Sequence, residues 1–246
     1  MTELKIYKMN DKSDSFTTKK KIIFDIAFRL IITGKTGTGK TSALGSLLLL
    51  PQFYKNDFKG DNIYIFSALV NDFKMEQIIK SKKIPEMNIF TGFDDELLNA
   101  LYDKLVEEAK EDVARKKKIR NTLIILDDVS FDGSLRNGLY NAVSRVFMNG
   151  RKQNISIIIT AQYFSHILPS VRANASGAIL YNTNDKQLDL INDDYNFINV
   201  EKGSNKSMFK KMFRDNVKEI HDFIVVNFSN KRDELYLNKD FKPINI

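Results

Sequence analysis

An α/β fold with a mostly parallel central sheet flanked by helices is predicted by three observations. A strand-like run, Phe28-Arg29-Leu30-Ile31-Ile32-Thr33, leads directly into Gly34-Lys35-Thr36-Gly37-Thr38-Gly39-Lys40-Thr41 and then into a helix start at Ser42-Ala43-Leu44. A second apolar run, Leu123-Ile124-Ile125-Leu126, ends in the paired carboxylates Asp127-Asp128. The runs Thr122 to Leu126 and Ile155 to Thr160 are apolar on both faces, as strands are when helices cover both sides of a parallel sheet.

The elements follow in order. Residues before about Lys20 form a polar lead-in, and Ile22-Ile23-Phe24-Asp25-Ile26 is expected to add an edge strand ahead of the core strand at Phe28 to Thr33. The glycine-rich segment opens a helix through about Leu50, ended by Pro51. Asn62 to Phe66 is a second strand. Asp94 to Lys117, apolar at Leu97, Leu98, Leu101, Leu105, Val106 and Ala109, has the spacing of one helical face and carries the chain across the sheet. Thr122 to Leu126 is a strand, Leu135 to Gly150 a helix, and Ile155 to Thr160 and Gly177 to Tyr181 two further strands. Beyond Asn182 the chain is more polar, with a basic helix-like stretch around Ser207 to Lys218 and strand candidates at Phe223 to Phe228 and Glu234 to Leu237. One domain over residues 1–246 is expected, with a core at about 22–181 and a C-terminal extension at about 182–246.

Composition narrows the chemistry. A chain of 246 residues suits one α/β domain and leaves little room for a second catalytic module. Without cysteine there is no disulfide framework or thiolate site, and the two histidines, His166 and His221, lack metal-ligand spacing. The longest apolar run, Leu47 to Leu50, is too short to span a bilayer and the start has no signal-peptide core, so a soluble intracellular protein without membrane insertion is expected. A net charge of +7 favours polyanionic partners such as DNA. Two clusters concentrate that charge, Lys19-Lys20-Lys21 and Arg115-Lys116-Lys117-Lys118 with Arg120, and either reads equally well as a solvated surface.

The glycine-rich segment has the form of a nucleotide triphosphatase phosphate loop. Gly34, Gly37 and Gly39 let the backbone turn its N–H groups onto phosphate oxygens, and the following helix adds the positive end of its dipole. The nucleotide-binding set is Gly34, Lys35, Thr36, Gly37, Thr38, Gly39, Lys40, Thr41 and Ser42. Lys40 is expected on the β- and γ-phosphates of ATP and the Thr41 hydroxyl on Mg²⁺. Asp127, ending its strand, holds Mg²⁺ directly or through water, while Asp128 orients or deprotonates the attacking water. Many such enzymes carry the longer Glu in that second place. Gln162, at the carboxyl edge of a neighbouring strand, is the candidate sensor of the γ-phosphate; a strand cap is the alternative.

The Asp-Asp strand is followed in order by Arg151-Lys152-Gln153-Asn154-Ile155-Ser156, Thr160-Ala161-Gln162 and Leu168-Pro169-Ser170-Val171-Arg172-Ala173-Asn174. This succession resembles the FtsK/HerA superfamily of DNA-pumping ATPases, whose P-loop NTPase fold is RecA/ASCE-like. Within it, the short length and the Asp-Asp pair are most similar to viral genome-packaging ATPases, the poxvirus-type branch and its relatives in virophages and phages. The resemblance covers about Phe28 to Tyr181 and rests on the Arg-to-Gln block, since the phosphate loop alone is generic. It implies a homo-oligomeric ring, pentamer or hexamer, that threads double-stranded DNA and works at a capsid or portal vertex. The implied location is the cytoplasm of an infected host cell, with the virion as a second place. Such rings complete each site with an arginine from the next subunit. Arg151 is the candidate by its position, with Arg145 and Arg172 as rivals and a helix-capping role as the alternative.

Other classes fit less well. Asn230-Lys231-Arg232-Asp233 matches a guanine-reading pattern, but the Asp-x-x-Gly switch is missing, because Ser130 stands three places before Gly133. The Leu-Ser-Gly-Gly-Gln signature of ABC ATPases is absent, and a nuclease-bearing terminase lacks room. A small-molecule P-loop kinase shares the loop and the acids. A cellular or plasmid translocase of the same superfamily is the nearer rival, although such proteins commonly add membrane or DNA-reading segments.

Overall fold

The computed structural model describes residues 23–128, 141–198 and 205–246. Its centre is an eight-stranded sheet. Strands β1 (Arg29–Thr33), β2 (Ile63–Ser67), β3 (Ile89–Thr91), β4 (Thr122–Asp127), β5 (Ile155–Ala161) and β6 (Gly177–Tyr181) run parallel. Two antiparallel strands, β7 (Phe223–Asn227) and β8 (Tyr236–Leu237), extend it beyond β6. The order is β3-β2-β4-β5-β1-β6-β7-β8, which sets β5 between β1 and β4.

Every residue of β2, β4, β5 and β6 is buried, because both faces are covered. Successive strand residues point to opposite faces. On one, Ile31, Ile124, Leu126, Ile157 and Ile159 share a core with residues of α3 (Asp95–Ala114), α4 (Ala142–Asn149), α5 (Pro169–Ala173), α6 (Asp185–Tyr195) and α7 (Asn205–Asn216). On the other, Leu30, Ile32, Leu123, Ile125 and Ile158 share a core with α1 (Lys40–Leu49) and α2 (Phe73–Lys82). Four helices start on a side chain that caps an otherwise unpaired N–H: Asp72, Asp94, Asn141 and Asn184 accept from Lys74, Leu97, Ser144 and Gln187.

Six strands agree with the runs that predict them to within a residue at either end. Among the described residues, the edge strand expected at Ile22 to Ile26 is reduced to a single bridge residue, Ile26. Ile22 lies outside the described residues, and Ile23, Phe24 and Ile26 are buried among the α1-side core residues instead. Both lateral positions beside β1 are occupied, by β5 and β6, so the apolar segment packs across a face, where the Phe24 carbonyl accepts from the Tyr54 hydroxyl at 2.6 Å. The helix expected over Leu135 to Gly150 starts at Ala142; residues 135–140, the polar lead-in and Lys19 to Lys21 lie outside the described residues. Four elements have no counterpart in the sequence reading: α2, β3, α5 and α6.

The polar segment after residue 182 is built into the sheet. It contributes β7 and β8, and Phe209, Phe213 and Val217 are buried in the α3-side core. In the second basic cluster, Arg115 pairs with Glu111 at 3.1 Å, and Arg120 with Glu108 at 3.4 Å and Asp112 at 3.3 Å. No helix among the described residues is long and apolar enough to cross a membrane.

Candidate active site

The glycine-rich loop lies at the carboxyl edge of the sheet, between β1 and α1. Gly39 has φ 107°, a left-handed conformation that favours glycine. Gly34 is required by close approach, since a Cβ there would meet the Tyr181 Cβ at 2.5 Å. Unlike the four capped helices, α1 starts on Gly39 with no side-chain cap, which leaves its first-turn N–H groups for a ligand.

The loop is braced from three sides. Gly34 N–H donates to the Ala161 carbonyl at 3.2 Å, and the Thr38 hydroxyl donates to Lys35 O at 2.8 Å. Tyr181 Oη donates to Gly39 O at 3.2 Å, and burial pushes its phenol up to about 12, which keeps that proton in place. His221 Nδ1 stands 3.0 Å from Thr38 O, and because a carbonyl only accepts, this nitrogen carries the hydrogen. The Lys40 ammonium donates to Gly34 O at 2.8 Å and Lys35 O at 3.3 Å. Its pKa is lowered by burial, which outweighs the opposing pull of Asp128 and Asp127. Lys35, Thr36 and Ser42 are exposed, Thr41 is half-buried, and Ser42 Oγ accepts from Lys74 at 2.8 Å.

The two aspartates are held by neighbouring strands. Asp127, 5% exposed, accepts from Thr160 Oγ1 at 2.8 Å and from Ser67 Oγ at 3.2 Å. Burial raises its pKa, opposed by those two hydrogen bonds, with Asp128 adding to the rise and Lys40 opposing it. Asp128 takes φ 48°, and its N–H donates to the same Thr160 hydroxyl at 2.8 Å. Gln162 Nε2 donates to the Asp128 carboxylate at 3.3 Å. One threonine hydroxyl therefore holds the Asp127 carboxylate and the Asp128 backbone. A cavity of about 680 Å³ opens over this edge, lined by Thr36 to Ser42 and by Asp127 and Asp128.

Lys40, Thr41, Asp127, Asp128 and Gln162 thus share one edge, and Arg151 does not. It is exposed on a short helical turn, Gly150–Gln153, ahead of β5, whereas Gln162 follows that strand. Seven residues of strand separate the two, about 23 Å at roughly 3.3 Å per residue. Arg151 therefore does not serve the site of its own chain. Arg145 is engaged by Asp103 at 2.6 Å and Asn99 at 2.7 Å and lies over the Tyr102 ring. Arg172 is 9% exposed, paired with Asp194 at 2.6 Å and donating to Ile167 O at 3.0 Å.

Tyr181, His221, Ser67 and Thr160 join the site in addition to the residues the sequence predicts. A polar residue at the end of an apolar strand is the signal for Ser67 and Thr160. His221, 183 residues from Thr38, leaves no local signal.

The poxvirus A32 protein family matches residues 15–241. A frog virus 3 protein described as uncharacterized protein 015R is 24% identical over 173 residues, 70% of this chain and 49% of its own length. The chain spans 49%, 62% and 45% of the curated relatives it matches. Among solved structures, the genome packaging NTPase B204 from Sulfolobus turreted icosahedral virus 2, in complex with AMP, superposes with a TM-score of 0.59 at 14% identity, over 88% of this chain and 98% of that one. EssC ATPases 2 and 3 from Geobacillus thermodenitrificans give 0.56 at 16%, over 87% and 39%. At these identities the structural likeness establishes the fold.

Proposed function

This chain belongs to the poxvirus A32 protein family, and we propose on that footing that it is an ATP-driven ring motor that translocates double-stranded DNA, packaging a viral genome into a preformed capsid. The observation that carries the reading is the convergence of the loop, the Asp127-Asp128 pair and Gln162 on one edge of a P-loop sheet, with Thr160 joining the two acids, Gln162 bonding Asp128 and Ala161 bonding the loop. The B204 structures, solved with AMP and with ATP-gammaS and named for genome packaging, support it through a shared fold.

In this reading Lys40 leaves the loop carbonyls for the β- and γ-phosphates, and Asp128, held by Gln162, orients or deprotonates the attacking water. The donors beside the loop suit Mg²⁺, which takes hard oxygen ligands and usually binds through one or two carboxylates plus substrate phosphates. Thr41 and Asp127 would hold it, and among the described residues there is no cluster of three acidic or histidine side chains to form an all-protein cage. Bound there, it would neutralise phosphate charge. Arg151, remote from its own site, acts in the neighbouring subunit of a pentamer or hexamer, where a guanidinium stabilises transition-state charge. A capsid or portal vertex is the docking partner.

Steady-state ATP hydrolysis with and without double-stranded DNA, across a salt series and with Lys40→Ala as the blank, tests the proposal. Stimulation by DNA that fades with salt is expected, because phosphate contacts release counterions. Hydrolysis indifferent to DNA would refute the motor and favour a small-molecule phosphoryl acceptor.

A further inference from the structure

The lining of the cavity beside the loop has two chemically different parts. One is the polar edge just described. The other is walled by Leu47, Leu50, Phe53, Ile179, Phe223 and Phe241. A bare polyphosphate has no use for an apolar part, but a nucleotide carries a flat heterocycle that does.

The C-terminal segment delivers that wall. Phe223, the first residue of antiparallel β7, pairs with Tyr181, the last of β6, at the carboxyl edge. β8 then returns the chain to the same edge, where the turn at residues 238–242 sets the Phe241 ring 5.0 Å from Phe53 and 6.2 Å from Phe223, centroid to centroid. Lys239 pairs with Asp222 at 2.7 Å and fastens this turn to the start of β7.

Phe241 is also strained. Its φ of 59° is a left-handed conformation that a bulky aromatic residue adopts only at a cost. The turn holds it there through Asn238, whose side chain accepts from the N–H groups of Asp240 and Lys242, both at 3.0 Å. Phe241 packs one side against the α1-side core through Phe53 and Phe223, yet it stays only half-buried and lines the cavity. What the strained backbone achieves is an aromatic face beside a phosphate loop.

We infer that Phe241, supported by Phe53 and Phe223, is the stacking platform for the nucleobase, so that the polar C-terminal segment supplies half of the nucleotide site. The inference rests on the nucleotide reading above. Stacking accepts any base, since each has a π-face, so the platform strengthens ATP and GTP alike relative to inorganic tripolyphosphate.

Calorimetric titration of the full chain with ATP, GTP and tripolyphosphate tests it without requiring turnover. Phe241→Gly removes the ring and relieves the left-handed backbone, so the fold is retained, as an unfolding midpoint checks; Phe241→Tyr keeps a ring. Phe241→Gly is expected to bind ATP and GTP roughly tenfold to a hundredfold more weakly, with tripolyphosphate unchanged and Phe241→Tyr close to wild type. Wild-type ATP affinity in Phe241→Gly overturns the inference. An equal loss for tripolyphosphate also overturns it, because the ring then supports the loop and not the base. A wild-type chain that binds neither ATP nor tripolyphosphate overturns the nucleotide reading itself.

Discussion

Replacing Thr160 with valine tests whether one hydroxyl aligns both acids. The change nearly preserves volume but deletes the donor to Asp127 and the acceptor for Asp128 N–H, each at 2.8 Å. A hydrogen bond to a charged group contributes about 1.5–3 kcal/mol and a neutral one about 0.5–1.5, so the loss at neutral pH is about 2–4.5 kcal/mol. Its pH dependence identifies the partner. Burial raises the Asp127 pKa in the folded chain, and the Thr160 bond opposes that rise. A carboxyl raised on folding favours the native state when protonated, and this advantage is lost as pH rises from the unfolded value through the folded one. Deleting the donor raises the folded pKa further. The extra loss therefore opens as pH rises from the wild-type to the variant value, is complete above both, and below the wild-type value shrinks towards the share of the Asp128 bond. Urea unfolding followed by circular dichroism, without nucleotide, at about pH 8 and again in mild acid measures it. A midpoint equal to wild type refutes the role of the hydroxyl, and an equal loss at both pH values refutes Asp127 as the partner that matters.

Asp128→Asn is expected to keep ATP affinity while lowering turnover by roughly 10²- to 10⁴-fold, read by titration beside single-turnover hydrolysis; retained hydrolysis removes Asp128 from the mechanism. Tyr181→Phe, which deletes only the donor to Gly39 O, should weaken nucleotide binding by about fivefold, the equivalent of about 1 kcal/mol, with little change in thermal midpoint. An unchanged Kd would mean that the loop holds its shape without this brace. Arg172→Ala leaves the exposed Asp194 in solvent but removes the buried donor to Ile167 O, and should cost about 1–3 kcal/mol in urea unfolding. Arg151→Ala, at an exposed turn, should cost less than about 1 kcal/mol yet abolish hydrolysis, with partial recovery on mixing with Asp128→Asn subunits. Lack of any recovery argues against action between subunits.

The parallel part of the sheet was legible because burial on both faces leaves unbroken apolar runs, as in Leu123-Ile124-Ile125-Leu126 and Ile157-Ile158-Ile159. The same criterion misreads Ile22 to Ile26, since an apolar run says only that residues are buried. Whether they pair in a sheet depends on lying at one of its edges, which here are β3 and β8, whereas Ile23, Phe24 and Ile26 lie in the core on the α1 side. α2 and α6 escaped for the opposite reason. Their polar faces dominate, and only Met75 and Ile78 of α2 are buried. β3 has three residues, none of them buried, too few for a period to register.

The phosphate half of the site is contiguous in sequence, because a loop that wraps one anion with successive N–H groups must be built from successive residues. The remainder depends on strand order. Thr160 reaches both acids only because β5 lies beside β4, and the loop is tied to Ala161 only because β5 also lies beside β1. His221 and Phe241 reach the loop only because β7, antiparallel to β6, starts at the carboxyl edge of β6, and β8, antiparallel to β7, runs back to that edge. Neither the central position of β5 nor the reversal after β6 is encoded by any local spacing. A motif search therefore finds where phosphate binds and overlooks the residues that orient the acids and face the base, although a polar residue closing an otherwise apolar strand, as Thr160 and Ser67 do, is a local trace of the first group.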